Sequence, residues 1–113
     1  MSSRSAKERI QDILSAIDSI QSRTAGISFD QFSQNETIVK AVLYDLIIIG
    51  EAAINIPADI QASAPEIPWR LMGDMRNIMA HEYFQISLRI TWSTIQNNLP
   101  ILIDPLQQLQ ANL

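Results

Sequence analysis

The chain has 113 residues, of which 47% are hydrophobic, 18% charged and none cysteine, with a formal net charge of −4 and an isoelectric point near 4.7. That length suits one domain spanning residues 1–113, and the apolar fraction is enough for a packed core. Disulfides and thiolate metal sites are excluded, and the acidic balance speaks against a nonspecific nucleic-acid coat, which needs a broadly basic face.

An RNA enzyme with a small basic cleft stays compatible with this charge, because a few local cations dominate inside a cleft. The scarcity of charge suggests apolar surface hidden against a partner or a second copy. Met1 to Arg9 is polar and has no apolar run of the signal-peptide kind. The longest apolar stretch, Ala41 to Ile56, is interrupted by Asp45, Glu51 and Asn55, so no membrane span is expected and a cytoplasmic location is the default.

Helical periodicity runs through the whole chain. Ile10, Ile13, Leu14, Ile17 and Ile20 recur at three- and four-residue steps, which predicts a first helix from about Ser5, its N-cap, to Thr24, with Gly26 just beyond its end. Ser28 to Phe32 reads as a turn or helical stub that places two aromatics on the core. Ser33 and Glu36 fit a capping box opening a long second helix through Ile38, Val42, Tyr44, Leu46, Ile49, Ala53 and Ile56, closed by Pro57. Val39, Leu43, Ile47, Ile48 and Ile54 widen its apolar face, as in a helix that is central or shared between subunits.

Ala58 to Pro68 is a proline-bounded connection with room for one helical turn. Pro68 and Trp69 open a third helix carrying Leu71, Met72, Met75, Ile78 and Met79 as core candidates and ending between His81 and Phe84. A further segment runs from Ser87 through Leu88, Trp92 and Ile95, breaks around Asn97-Asn98-Leu99-Pro100, and continues as a last helix from Ile101 to Leu113. The expectation is an all-α bundle of about four to five helices. Trp69 and Trp92 read as core or interface anchors in preference to RNA-stacking platforms, and Glu8 and Asp12 as solvated surface.

The chemistry concentrates in Arg76-Asn77-Ile78-Met79-Ala80-His81-Glu82-Tyr83-Phe84, which holds the only histidine. An arginine binds and stabilises phosphate charge, and a histidine moves protons near neutral pH. On a regular helix Arg76 and Tyr83 lie about 20° apart, and Asn77 and His81 about 40° apart, but Arg76 and His81 are splayed by about 140°. Serving one phosphate would require the helix to end near Ala80 and swing His81 round, or two copies to face each other. Glu51 reads either as a carboxylate that pairs with Arg76 and fixes it, or as a solvent-facing or helix–helix charge. Asp45, Glu51, Asp74 and Glu82 have no metal-ligand spacing, so neither a metal nor another cofactor is expected.

The spacing R-x4-H-x-Y with Asn after the Arg resembles the motif of HEPN-domain ribonucleases, and more closely the HepT toxins of bacterial HepT–MntA toxin–antitoxin pairs. Ile49-Gly50-Glu51-Ala52-Ala53, Ile67-Pro68-Trp69, Met75-Arg76-Asn77, His81-Glu82-Tyr83-Phe84 and Trp92 fall in the order found there, and the resemblance reaches from Arg9 to the C-terminal helix. It implies a HEPN-type bundle whose active cleft is shared across a homodimer, and a metal-independent endoribonuclease with Arg76 and His81 as catalytic residues. Asn77 and Glu51 would support them. Dependence on the ribose 2′-hydroxyl would make RNA and not DNA the substrate. The resemblance further implies a toxin silenced by a cognate MntA-like nucleotidyltransferase, which transfers AMP to Tyr83. The alternative is a non-catalytic helical scaffold subunit of a minimal nucleotidyltransferase, which the acidic composition favours mildly.

Overall fold

The computed structural model describes residues 4–81 and 87–113, the side chains of residues 77–81 excepted. Among the described residues the chain is helical and has no strand. Helix α1 spans Ala6–Thr24 and begins on a reciprocal cap, Ser5 Oγ accepting from the Glu8 amide while the Glu8 side chain accepts from the Ser5 amide. Two of its otherwise orphaned donors are satisfied in this way. It stops where Ala25 turns extended and Gly26 takes a φ of 74°, a left-handed value that glycine adopts without a Cβ penalty. Ile10, Ile13, Ile17 and Ile20 form the buried stripe, and Leu14 packs at its edge.

The next cap differs from the expected one. Ser28 and Gln31 make the capping box, opening α2 at Phe29–Gln34, and Ser33 lies inside that helix, its hydroxyl donating to the Asp30 carbonyl. Asn35 then caps α3, accepting from the Ile38 amide, because α2 ends only one residue before α3 begins. Helix α3 spans Glu36–Ile54. Asn55 ends it, its backbone N–H donating to the Ala52 carbonyl, that of Ile56 to the Ala53 carbonyl, and the Asn55 side-chain amide to the Glu51 carbonyl. The connection after Pro57 contains α4, Ala58–Ser63, and Gln61 reaches back to the Ala53 and Ile56 carbonyls.

Helix α3 is the spine. It packs against α1 on one side and α5, Trp69–His81, on the other, which is why its apolar residues outnumber one stripe. Tyr44 (65% exposed) and Leu71 (53% exposed) are corrections to the expected core, since both fall on the side of their helix turned away from those contacts. Helix α6 spans Leu88–Ser93 and passes into a wide π turn at Thr94–Asn98, a 3-10 turn at Pro100–Leu102 and α7 at Ile103–Ala111. The expected break at residues 97–100 is therefore a change of helical pitch. Helix α7 returns to α1, where Gln110 donates to the Lys7 carbonyl and the Gln11 side chain.

The aromatics behave as anchors. Trp69 is buried with its indole N–H on the Ala64 carbonyl at 3.1 Å. Trp92 lies 5.1 Å from the fully buried Phe32 ring and 6.3 Å, edge-on, from Phe29, over which the Arg89 guanidinium sits at 4.4 Å. Asp12 is not simply solvated: the Arg4 fork donates to both its carboxylate oxygens, at 2.8 and 2.6 Å. No described helix is long and apolar enough to cross a membrane.

Urea unfolding tests this packing. Phe32→Ala should remove about 3–5 kcal/mol, the usual cost of emptying an aromatic core position. Ser28→Ala should remove about 1 kcal/mol through the lost cap, both with the dependence on urea unchanged.

Candidate active site on α5

Gly50 sets the geometry. A Cβ at that position would stand 2.6 Å from both the Cβ and the backbone nitrogen of Arg76, a distance at which something must move. Gly73 makes a second close approach three residues earlier on α5, where an added Cβ would meet the Ile54 side chain at 2.9 Å. The antiparallel pair α3–α5 is thus drawn together at residues 50 and 76 and at 54 and 73. Glycine costs helix propensity, roughly 1 kcal/mol against alanine, and at Gly50 that cost is offset by contact no other residue permits.

The next residue on α3 is Glu51, and the close approach brings its carboxylate onto the Arg76 guanidinium. Arg76 Nη1 donates to Glu51 Oε2 at 2.6 Å. The other carboxylate oxygen accepts from Asn55 Nδ2 at 3.3 Å. The Arg76 hydrogen bond holds the Glu51 carboxyl below the ordinary glutamate range, with smaller help from the same charge, Asn55 and Arg9 against partial desolvation. Both side chains keep solvent contact, 39% for Arg76 and 53% for Glu51. An ion pair so exposed contributes only about 0–1 kcal/mol to stability. Its consequence is positional: one end of the fork is fixed and the guanidinium is presented at the surface.

Glu51 does pair with Arg76, and the contact is at once the expected anchor and a half-exposed salt bridge between helices α3 and α5. Asn77 follows Arg76 in α5, and His81 is the last described residue of that helix. The helix does not stop at Ala80, so the splay of about 140° expected between Arg76 and His81 on regular helical geometry is kept by the backbone. The side chains of Asn77 and His81, and all of Tyr83, lie outside the described residues. Among the described residues no three of His, Asp and Glu gather as metal ligands would. Two contributors escaped the sequence reading, Gly50 and Arg9. A glycine inside an otherwise β-branched apolar helix was the available signal for the first.

Gly50→Ala should separate α3 from α5 and break the pair. The readout is the Glu51 carboxyl titration by NMR, whose midpoint should rise to the ordinary glutamate range, as it should in Arg76→Gln. The sign follows from linkage: folding lowers this proton affinity, so the pair stabilises fully above the unfolded glutamate value and ceases to do so as pH falls through the folded one.

A family model described as ribonuclease HepT-like matches residues 13–109. The chain is 39% identical to a protein of Thermococcus cleftensis named probable ribonuclease HepT, over 95% of this chain and 97% of that one. It is 34% identical to a protein of Caldanaerobacter subterraneus subsp. tengcongensis whose name assigns it provisionally as an RNase, over 80% and 81% of the two chains. A provisionally named RNase of Methanocaldococcus jannaschii is 35% identical over 88% and 92%. No solved structure matches. The chain belongs to the ribonuclease HepT-like family.

Proposed function

We propose that the chain is a metal-independent endoribonuclease of the HEPN type, acting as one domain over residues 1–113 in the cytoplasm. The observation that carries this reading is the Arg76 guanidinium, anchored by Glu51 and presented at the surface five residues before the lone histidine. The relatives' names, which carry the word ribonuclease or RNase, support RNA as the substrate.

The reaction is a transesterification. Neutral His81 takes the proton from a ribose 2′-hydroxyl, and the freed oxygen attacks the adjacent phosphorus. A bond to O2′ forms while the bond to the leaving 5′ oxygen breaks, and that oxygen receives a proton from a cationic histidine. Arg76 stabilises the negative charge that grows on the phosphorus-bound oxygens, and Asn77 orients His81 or donates to the phosphate. The products are a 2′,3′-cyclic phosphate and a 5′-hydroxyl.

The splay between Arg76 and His81 favours a cleft completed by a second copy, one chain's arginine working with the other's histidine. Exposed Tyr44, Leu71 and Ile90 supply apolar surface for such pairing. In the toxin–antitoxin setting, a partner nucleotidyltransferase would transfer AMP from ATP to the Tyr83 hydroxyl with release of pyrophosphate. The adenylate would place bulk and negative charge two residues from His81 and compete with substrate phosphate for Arg76.

Purified protein should cut single-stranded RNA in EDTA. His81→Ala should lower that rate by about 10²–10⁴-fold and Arg76→Ala by a similar factor, with the circular dichroism of the native protein retained. Undiminished cutting by His81→Ala would sink the mechanism. Tyr83→Phe keeps the ring and deletes the hydroxyl. It should cut RNA normally, yet escape silencing when its nucleotidyltransferase is co-expressed, read as arrested growth.

A further inference from the structure

A third charge stands beside the Arg76–Glu51 pair. Arg9 lies half-buried in the first turns of α1, directly before the fully buried Ile10. Helices α1 and α3 run side by side, Asp12, Ser15 and Ala16 of α1 lining one groove with Asp45 and Ile48 of α3. A helical turn takes about 3.6 residues. One turn back from Asp12 is Arg9, and one turn on from Ile48 is Glu51 or Ala52. The antiparallel register therefore carries Arg9 to Glu51 on the side of α3 that neighbours α1, while Arg76 reaches the same carboxylate from α5. The Glu51 carboxyl feels both: Arg76 is the largest influence lowering its proton affinity, and the positive field of Arg9 adds to it.

One guanidinium, on α5, thus holds the Glu51 carboxylate, and a second arginine stands on the neighbouring helix α1 at the same level, near enough for its charge to be felt there. A single anion between them would be met by Glu51 first, because the carboxylate already occupies the middle. A polyanion offers something different, a row of phosphates with fixed spacing, so that one can sit at each arginine while Glu51 keeps the two cations apart. Guanidinium forks suit phosphate oxygens, and one carboxylate oxygen uses only one of the five N–H donors of Arg76.

We propose that Arg9 is a second phosphate-binding residue of the site. It grips the backbone of a single-stranded RNA at the nucleotide next to the one cut, while Arg76 takes the scissile phosphate. The proposal rests on the ribonuclease reading above and adds the direction of the bound strand, from α5 across the end of α3 towards the N-terminal turns of α1.

Salt dependence of binding tests this without relying on cleavage. In a His81→Ala background, a labelled single-stranded RNA is titrated at several salt concentrations and followed by fluorescence anisotropy. Each phosphate neutralised on a single strand contributes about 0.7 to the slope of log affinity against log salt. Arg9→Gln should lower the slope by about 0.7, and Arg9→Lys, which keeps the charge, should restore it. Lys7→Gln removes the same charge from α1 at a position about 200° round the helix and should leave the slope unchanged, which separates a local contact from net charge. In the otherwise native protein, Arg9→Gln should raise KM for an oligonucleotide at unchanged kcat and leave a dinucleoside monophosphate, which has no second phosphate, unaffected.

If the His81→Ala protein binds RNA and Arg9→Gln keeps its full slope, or if Lys7→Gln lowers the slope equally, the role of Arg9 is wrong and the ribonuclease reading stands. If no RNA binds at any salt, the ribonuclease reading falls and takes this inference with it.

Discussion

The site depends on the missing side chain at Gly50. Where α3 and α5 cross there, a Cβ would collide with the backbone and Cβ of Arg76, the arginine of the candidate site. The contact fixes where Arg76 starts, and the Glu51 carboxylate one position along fixes where its guanidinium ends. Packing density in protein interiors leaves little slack, so the backbone end of Arg76 is held far more firmly than a surface arginine usually is. The exposed ion pair adds little free energy, yet it resolves the remaining rotamer freedom of a long side chain.

The overall charge of −4 is a poor guide to what such a site binds. At physiological ionic strength charges are screened over about 8 Å, so a phosphate approaching α5 responds to its immediate surroundings. Three acidic groups have partners of their own: Glu8 in a helix cap, Asp12 on Arg4, Glu36 on Lys40. Those contacts pair charges locally at the N-terminal ends of α1 and α3.

Much of this architecture was legible in the sequence because one-sided burial leaves a phase. The stripe from Ile10 to Ile20 and the cap at Ser5 locate α1 to within a residue, and the sustained apolar run from Ile38 marks α3 as the spine. Phase alone does not say which neighbour covers which side, so it reads Tyr44 and Leu71 as core although both are more than half exposed. The cap expected at Ser33 falls instead at Asn35 for a related reason: the polar run from Ser33 to Thr37 carries no phase, and the length of α2 decides where α3 begins. At the site, a carboxylate in an apolar helix stood out, so its pairing with Arg76 was one of two readings available. The part played by Gly50 was not, because a glycine's value there lies wholly in the backbone it faces, 26 residues later in the chain.

The wide turn at Thr94–Asn98 has a consequence for how the molecule closes. Buried Thr91, Ile95 and Leu99 follow one another at intervals of four, and on an ordinary α-helix each such step precesses by about 40°. Pro100 has no amide hydrogen to continue the α ladder, and Leu99 instead donates five residues back, to Thr94. The enlarged turn acts as a phase corrector, taking up the precession before the steps of three and four at Leu102, Leu106 and Leu109 resume. The final helix meets α1 along its apolar edge after one underwound turn at Thr94–Asn98 and one overwound turn at Pro100–Leu102.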